Sequence, residues 1–553
     1  MNSSPPADLV LIGARIHTVD PALPEAEALA VRDGRIVWLG AAADAAAWTG
    51  PGTRIVDAGG RLVLPGFIDA HNHVRLGSDD ACVQLAGARS LEAIHERIVA
   101  WRAAHPDAEW IEAEAFDYSA IPGGRMPTAA DLDPVTGDTP ALVLSYDVHT
   151  AWLNTAALHR LGIRKGRTSL PFGEAATDPE TGEPTGFVKD FAVKGLSRDG
   201  HRALRELGVP WAAPERQYGR LVKSLDDAIG YGITTVVEPQ NSLDDLALFE
   251  RARAEGRLRS RIVAALFHPR GTTGTDLDAF AAAAGTYADD RLRVGPLKLY
   301  IDDVVEPRTA ALLEPYAGCG HHRGDTFYPP EEFAELLARL DARGFQCFVH
   351  ATGDRGIRTV LDAVAHARRV NGPRDARHQI VHVECLDPAD TPRFAELGVV
   401  ACMQPRHAAP DIAGPGQDWA ENIGQDRWHK AWPLRSLHTA GAVLALSSDW
   451  NVAEMDPMVG IYTAVTRRPL NGGGEPWTPG ETIDVATAVE GYTMGSAYAN
   501  FLENERGSLS VGKLADFVVL SRDILRIDPE DIPGTVAETV VVGGEVVHTR
   551  ADA

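Results

Sequence analysis

The sequence predicts an α/β protein built on a (β/α)8 TIM barrel, with a flanking β-sandwich domain made from both chain ends and a large insertion after the first barrel strand. In the middle of the chain, apolar strand-like runs alternate with helical stretches. Both ends contain only short strand-like runs, and about 150 residues separate the first barrel strand from the next, far more than an ordinary loop. The chain has 553 residues, so we expect more than one structural unit.

The two chain ends are rich in short strands and glycine-containing turns. We assign residues 1–64 and 505–553 to the sandwich, because a two-stranded ribbon is only marginally stable alone and the ends can pair with each other. Their strand-like runs are Leu9–Val19, Ala28–Leu39, Arg54–Leu64, Asp516–Leu520 and Thr539–Val547.

Between the ends, residues 65–504 contain the predicted barrel. Nine apolar runs are candidate strands, one more than a closed eight-stranded barrel can use. The runs are Arg61–His71, Ala141–Tyr146, Ile233–Glu238, Arg261–Phe267, Val294–Ile301, Gln346–His350, Gln379–Val383, Val399–Gln404 and Val443–Ser448. Because Ala141–Tyr146 falls within the long interval, we assign it to an inserted subdomain at about residues 77–214. The other eight runs form the barrel.

The charge balance bears on the class of partner. The chain has 53 Lys and Arg against 77 Asp and Glu, a formal net charge of −24, and no basic cluster. This charge repels phosphate backbones and anionic membranes. We therefore expect a small-molecule substrate and neither nucleic acid nor membrane as a partner, with a homodimer as the candidate assembly.

The sequence also bears on the cellular compartment. No stretch approaches the roughly 18 consecutive apolar residues of a membrane helix, and residues 1–8 lack the features of a secretory signal. The five cysteines are scattered and form no CxxC pair, so they indicate neither a disulfide framework nor a zinc knuckle. We expect a cytoplasmic protein.

A pair of histidines follows the first predicted barrel strand. His71 and His73 end the sequence PGFIDAHNH, and residues two apart on a strand point the same way. Both imidazoles can face one metal ion at the carboxyl end of a barrel strand, where active sites of this fold lie. An HxH pair alone is a weak signal, and a packed or solvated pair is the alternative.

Three further ligand candidates end later strands. His350 closes one apolar run and His382 lies within the next, and neutral imidazole is the commonest ligand of zinc. The alternative for each is a hydrogen-bonded core histidine. Asp449 ends the last predicted strand, where a carboxylate is either a helix N-cap or the base that a hydrolase needs for its attacking water.

Lys298 lies in the middle of the fourth predicted barrel strand. An ammonium ion beside two dications would be repelled, and a buried ammonium without a partner is costly. The side chain therefore either points outward into a salt bridge or carries an inverted charge. Reaction with carbon dioxide would give N6-carboxylysine, a carbamate that can bridge two metal ions.

These residues lie in motifs that resemble a known family. The segment PGFIDAHNH, the lysine strand, HATGD at residues 350–354, the His382 strand, SSDW at 447–450 and GSLSVGKLADFVVL at 507–520 resemble the amidohydrolase superfamily. The closer similarity is to its amidohydrolase-3 branch, which includes the N-substituted formamide deformylase and YtcJ-like proteins. It extends to GGRMPT, DVHTAWLN and GEPTG within the insertion and to QPRH at 404–407.

The resemblance implies a centre of two divalent ions, usually zinc. It places His71 and His73 on one ion, His350 and His382 on the other, and carboxylated Lys298 between them. A metal-bridging hydroxide would then cleave a C–N bond of a small molecule, an amide, N-formyl or N-acyl group rather than a peptide bond. Asp449 would be both a metal ligand and the general acid/base.

The substrate pocket is harder to predict. His149 and Trp152 come from the insertion, and His149 resembles a position near the metal mouth that can hydrogen-bond the substrate carbonyl. His407 follows the seventh strand, and Trp450 beside Asp449 could form an apolar wall. Capping or packing roles are the alternative for each of these four residues.

Three other functions are compatible with the sequence. A mononuclear deaminase of a nucleobase-like ring would make Lys298 irrelevant, an esterase could use the same scaffold, and a non-catalytic scaffold could retain the barrel. Val381 replaces a common glutamate, Asp303 a common glycine and Asn451 a common proline of the branch. These departures bear on the substrate and not on the proposed ligands.

Overall fold

A computed structural model describes residues 5–77, 79–470 and 472–550. Residues 1–4 and 551–553 of the predicted sandwich lie outside the described residues. Residues 1–4 are also half of the segment 1–8 that was used to predict the compartment. Residue 78, within the predicted insertion, and residue 471, within the predicted barrel, also lie outside them.

The described residues contain 25 strands in four sheets. In chain order the strands are β1 (Leu9–Ile12), β2 (Arg15–His17), β3 (Glu25–Ala26), β4 (Ala28–Arg32), β5 (Arg35–Gly40), β6 (Arg54–Asp57), β7 (Leu62–Pro65), β8 (Phe67–Asp69), β9 (Val83–Gln84), β10 (Ile111–Phe116), β11 (Ala141–Ser145), β12 (Ala151–Leu153), β13 (Ser169–Leu170), β14 (Gly173–Thr177), β15 (Pro184–Lys189), β16 (Ile233–Asn241), β17 (Arg261–Phe267), β18 (Leu292–Tyr300), β19 (Cys347–Ala351), β20 (Gln379–His382), β21 (Val400–Met403), β22 (Leu444–Leu446), β23 (Phe517–Leu520), β24 (Ala537–Val542) and β25 (Glu545–Thr549).

The described residues also contain 16 α-helices. They are α1 (Leu91–Ala104), α2 (Ala129–Thr136), α3 (Thr155–Arg160), α4 (Phe191–Lys194), α5 (Arg198–Glu206), α6 (Pro214–Gly230), α7 (Leu246–Ala254), α8 (Gly274–Thr286), α9 (Pro330–Ala342), α10 (Asp354–Asn371), α11 (Thr391–Leu397), α12 (Asp418–Ile423), α13 (Leu434–Thr439), α14 (Pro457–Thr466), α15 (Val485–Glu490) and α16 (Ser496–Ala499). Among the helices of the described ranges, none combines the length and apolarity needed to cross a bilayer.

An eight-stranded parallel barrel forms the centre of the structure. Its strands follow one another as β8, β16, β17, β18, β19, β20, β21 and β22. The ring is completed where the amide of Ala70 donates to the carbonyl of Leu446 at 3.3 Å and the amide of Asp449 donates to the carbonyl of His71 at 2.8 Å. The predicted fold class is confirmed, since all eight runs assigned to the barrel contribute a strand to it.

One predicted strand is divided between two sheets. The run Arg61–His71 contains β7, which pairs with β2 and β23 of an end sheet, and β8, which pairs with β16 of the barrel. Gly66 separates them, and a Cβ atom there would lie 2.3 Å from the Thr234 side chain. The prediction of one continuous strand was wrong because this close approach, which only glycine permits, is not visible in the apolar pattern.

Both chain ends contribute to the flanking sheets. A six-stranded sheet has the order β25, β24, β23, β7, β2 and β3, so C-terminal strands pair directly with N-terminal ones. A four-stranded sheet of β5, β4, β1 and β6 packs on it. Leu11 and Val31 from the first end share one buried cluster with Phe517 and Val541 from the second.

The insertion between β8 and β16 contains its own seven-stranded sheet, with β13, β14, β15, β12, β11, β10 and β9 in that order. Apolar side chains cover both of its faces: Leu142 and Leu144 of β11 lie in one buried cluster, whereas Ala141 and Val143 lie in another. The run predicted at Ala141–Tyr146 is a strand of this sheet and not of the barrel. The loop between β11 and β12 reaches the carboxyl ends of the barrel strands.

A buried ion pair joins the barrel to the end sheet. Arg261 at the start of β17 donates to both carboxylate oxygens of Asp516 at 2.7 and 2.9 Å, and its side chain is 1% exposed against 3% for Asp516. Burial alone would raise the pKa of Asp516, but Arg261, together with Arg506 and the amide of Gly543, outweighs it and the net shift is downward. The pair holds Asp516 charged within the interface.

Replacing Arg261 by methionine should destabilise the protein by about 3 to 5 kcal/mol, because it leaves the Asp516 carboxylate buried without its ion-pair partner. The shift of the urea unfolding midpoint measures this. Arg270→Met removes the exposed ion pair with Glu332 and should cost less than about 1 kcal/mol. Equal midpoints for the two variants would show that the interface does not depend on this pair.

Candidate metal centre

The six predicted ligands converge on one inner cavity at the carboxyl ends of the barrel strands. The cavity has a volume of about 20 Å³ and is lined by residues that include His71, His73, Lys298, His350, His382 and Asp449. They come from five different strands or strand ends, β8, β18, β19, β20 and β22. The parallel barrel thus brings together side chains that are as far apart as 378 positions (449 minus 71) in the sequence.

Asp449 lies between the two histidines of the HxH pair. Its Oδ1 atom is 3.2 Å from His71 Nε2 and 3.3 Å from His73 Nε2. The donor atoms of this trio all lie within 4.8 Å of one another, and all three residues are buried. Burial, the largest influence, lowers the pKa of His71 to about 3, so its imidazole is neutral at physiological pH and offers a lone pair.

Several buried atoms of this trio lack hydrogen-bond partners among the described residues. They are both ring nitrogens of His71, Nδ1 of His73 and Oδ1 of Asp449. Buried polar atoms are otherwise nearly always hydrogen-bonded, and an unpaired one costs about 1 to 3 kcal/mol. A divalent cation fits this donor set, because two imidazoles and a carboxylate are suitable ligands and would satisfy the unpaired atoms.

In His350 and His382, one ring nitrogen of each has a hydrogen-bond partner and the other has none among the described residues. His350 Nε2 lies 3.1 Å from the carbonyl of Asp303, which can only accept, so Nε2 carries the hydrogen. His382 Nδ1 lies 2.9 Å from Gln404 Oε1, and the Gln404 amide donates to Ser447 at 2.9 Å. These contacts leave His350 Nδ1 and His382 Nε2 as lone-pair donors, the arrangement that orients metal-binding imidazoles.

Both His382 and Asp449 adopt the left-handed backbone conformation, with φ angles of 81° and 57°. A residue other than glycine rarely adopts this conformation, and such strain is concentrated at functional sites. Here it occurs where β20 and β22 end and the chain turns away from the barrel.

The Lys298 side chain points into the inner cavity and not outward to the helices. It is 1% exposed and has no hydrogen bond or ion pair among the described residues. Its Nζ atom lies 4.8 Å from the ring centre of Tyr300 and 5.4 Å from that of Phe348. Burial, the largest influence, lowers the pKa of Lys298 to about 8, so a substantial fraction of the amine is neutral near physiological pH.

A network around Asp69 fixes the ends of the first and last barrel strands. Its carboxylate accepts hydrogen bonds from the amide of His71 at 3.4 Å, the Asn72 side chain at 2.9 Å, and the amide and hydroxyl of Ser448 at 3.0 and 2.5 Å. Asp69 thus contacts Ser448, the residue before Asp449, and the backbone of His71. Sequence reasoning missed this residue, although it stands two positions before His71 on the same strand.

A larger cavity of about 390 Å³ opens outward from the centre. His149 lines both cavities, and its Nδ1 atom contacts the carboxylate of Asp303, which also accepts from Thr309 at 2.8 Å. Burial alone would lower the pKa of His149, but the Asp303 carboxylate raises it to about 9. His149 is therefore a positively charged donor at the mouth of the inner cavity.

The other predicted pocket residues have different positions. His407 and Trp450 line the large cavity, with His407 Nε2 3.9 Å from Asp449 Oδ2. Trp152 does not reach it: the side chain is fully buried and its Nε1 donates to the carbonyl of Thr128 at 2.7 Å. Side chains alternate along β12, so Trp152 packs with Phe116 on the sheet face opposite its neighbours, and the predicted substrate contact is corrected to a core role.

Glu384 is a further buried side chain that sequence reasoning did not single out. Its donor atom lies within 4.8 Å of those of His382 and His407, and its Oε2 atom accepts from Trp419 Nε1 at 3.0 Å. Burial and then the charge of Glu306 raise the pKa of Glu384 well above its usual value. Its position two residues after His382 is the one signal that the sequence offered.

Replacing Asp69 by alanine should lower the affinity for divalent ions about 10- to 100-fold, because the ends of β8 and β22 lose their shared anchor. Competition with a chromophoric chelator measures this. The control Asp341→Ala removes a buried carboxylate that bonds Asn371, Arg374 and His378, before β19 begins; it should lower stability but not ion affinity. Unchanged affinity in Asp69→Ala would contradict the anchoring role.

Comparison with known proteins gives results that cover nearly the whole chain. Residues 54–548 match the sequence profile described as Amidohydrolase family. Protein LONG AFTER FAR-RED 3 of Arabidopsis thaliana is 30% identical, over 98% of this chain and 91% of that protein. The N-substituted formamide deformylase of Arthrobacter pascens is 28% identical, over 93% of this chain and 94% of that protein.

Among solved structures, an uncharacterized metal-dependent hydrolase from Pyrococcus horikoshii OT3 superposes with a TM-score of 0.72 at 22% identity, covering 94% of this chain and 99% of that chain. Its counterpart from Pyrococcus furiosus gives a TM-score of 0.70 at 24% identity, covering 94% of this chain and 100% of that chain. At these identities the similarity shows a shared fold.

Proposed function

The chain belongs to the amidohydrolase family, and we propose that it is a metal-dependent hydrolase that cleaves a non-peptide C–N bond of a small molecule, an amide with a formyl or other acyl group. The observation that supports this is the convergence of His71, His73, His350, His382 and Asp449 on one buried cavity with unpaired donor atoms. Two divalent ions, most commonly zinc in such ligand sets, fit these donors.

When bound, such ions would polarise the scissile carbonyl and supply an activated water molecule. The residues of the chain then determine how the proton moves. The Asp449 carboxylate would accept a proton from the attacking water and return it to the departing nitrogen, a transfer worth roughly 10² to 10⁴ in rate. The products are a carboxylic acid and an amine.

Lys298 lines the inner cavity together with the other proposed ligands, and an unmodified side chain would oppose metal binding. As an ammonium ion it would repel the ions that the surrounding histidines suit, and it forms no direct ion pair among the described residues. The neutral amine can add to carbon dioxide, forming an N–C bond and releasing a proton, which leaves a carbamate with one negative charge and two oxygens. We propose this N6-carboxylysine as the bridging ligand.

The insertion supplies the residue best placed to orient the substrate. His149 carries a positive charge and lines both cavities, so its ring can donate a hydrogen bond to the substrate carbonyl while Asp303 holds the opposite nitrogen. His407 and Trp450 line the space in which the rest of the substrate would lie. Both are proposed as substrate contacts.

Metal-loaded protein should contain about two divalent ions per chain and hydrolyse a member of an N-formyl, N-acyl, cyclic amide and ester panel. The relative from Arthrobacter pascens is named for N-substituted formamides, so these come first. His71→Ala should lose at least one ion and nearly all activity, because it removes a ligand. His429→Ala, an exposed histidine, is the control. Full ion content and rate in His71→Ala would refute the ligand assignment, and one ion per wild-type chain would favour a mononuclear deaminase.

Lys298→Ala should lose activity and at least one ion, because the bridge is missing. Formate, acetate or propionate should restore part of the rate, since a short carboxylate can occupy the vacated position. Initial rates against carboxylate concentration measure this, with chloride at equal ionic strength as the control. Wild-type ion content in Lys298→Ala would show that the side chain does not bridge the ions.

A further inference from the structure

Carboxylates greatly outnumber cationic side chains around the large cavity. Two arginines line it, and both are already paired with acids of the same wall, while the charged His149 is paired with Asp303. Arg89 contacts Asp117 at 2.5 Å, while Arg406 contacts Asp411 at 2.9 Å and Glu454 at 2.8 Å. The remaining acids of the lining have no lysine or arginine ion-pair partner among the described residues.

Apart from Asp449, which also lines the inner cavity, Glu384 is the most enclosed of these acids. The residue is 6% exposed, and Trp419 satisfies one carboxylate oxygen, whereas its other oxygen has no hydrogen-bond partner among the described residues. Glu306 lines the same cavity and is the charge that acts most strongly on Glu384. Two buried acids on one cavity wall disfavour each other's ionised form, so a cationic ligand would stabilise both as carboxylates.

His407 provides a second, independent indication of a ligand here. The residue is 8% exposed and lines the cavity, and its Nε2 atom is buried without a hydrogen-bond partner among the described residues. One of its ring nitrogens lies within 4.8 Å of a carboxylate oxygen of Glu384. A ligand with several N–H donors would satisfy both side chains.

We propose that the large cavity selects substrates with a cationic nitrogen, an amide whose amine portion carries a primary ammonium group at the end of a short alkyl chain. The inference rests on the proposed hydrolase function and specifies its substrate class. Glu384 and Glu306 supply the negative charge, and His407 Nε2 accepts one of the three ammonium N–H bonds. The scissile amide then lies toward Asp449, which is 3.9 Å from His407.

The charge of the whole chain favours the same class of substrate. A formal net charge of −24 attracts cations toward the protein, and an acidic cavity with low-dielectric walls concentrates that field. A charge-assisted hydrogen bond between ammonium and carboxylate changes binding on the order of tenfold to hundredfold. An amide of equal length without the charge gains nothing from Glu384.

The test compares N-acetylputrescine with N-pentylacetamide, which carries a methyl group in place of the ammonium, together with the corresponding formamides. Metal-loaded protein should show a kcat/KM at least tenfold higher for the cationic member of each pair. In Glu384→Gln this ratio should fall about tenfold, because the amide still accepts from Trp419 but has no charge. Glu306→Gln should also lower the ratio of kcat/KM between the cationic and the neutral member.

Glu396→Gln changes the net charge equally at an exposed position and should keep the wild-type ratio. The hydrolase function fails only if no member of the substrate panel above is cleaved. If these pairs alone are not cleaved, calorimetric Kd values for the same pairs test this inference. Equal kcat/KM or Kd values for the two members of a pair would overturn the proposed selectivity. So would no binding of the cationic member, or an unchanged ratio of kcat/KM in Glu384→Gln. Loss of a metal ion from Glu384→Gln would also overturn it, since the carboxylate would then serve a metal.

Discussion

The closure of the parallel barrel between its first and last strands determines the rest of the site. The amide of Asp449 donates to the carbonyl of His71 at 2.8 Å, and Asp69 accepts from the backbone of both strand ends. These bonds hold the Asp449 carboxylate beside the HxH pair, although the residues lie at opposite ends of the barrel sequence. Without these bonds between the first and last strand ends, the buried donor atoms would not converge on one point where a cation could bind them.

The site contains two layers with different chemistry. The inner cavity collects neutral imidazoles, one carboxylate and a buried lysine, a set suited to divalent ions. The outer cavity collects carboxylates, and His149 stands between the two layers with its charge held by Asp303. In the proposed function, polarisation of the scissile bond and recognition of the remainder of the substrate are therefore the work of different residues.

Sequence patterns predicted the parts of this structure that depend on local periodicity. Strand β17 has the predicted bounds Arg261–Phe267, and the HxH pair lies at the strand end where it was expected. The division of Arg61–His71 at Gly66 was missed, because it depends on the approach of Thr234 from a distant strand. The position of Trp152 was wrong for a related reason, since its proximity to His149 in sequence does not reveal which sheet face it occupies. Asp69 and Gln404 make contacts between strand ends, and Glu384 contacts Trp419 of α12; one sequence does not disclose such contacts.

In the proposed centre, carboxylated Lys298 joins two divalent ions held by the histidines and Asp449. The most direct test is a crystal structure of metal-loaded protein with anomalous diffraction data. We expect two anomalous peaks roughly 3.5 to 4 Å apart, with continuous density from Lys298 Nζ to a carboxylate group that contacts both. A single peak bound by His71, His73 and Asp449, beside an unmodified Lys298, would contradict the claim.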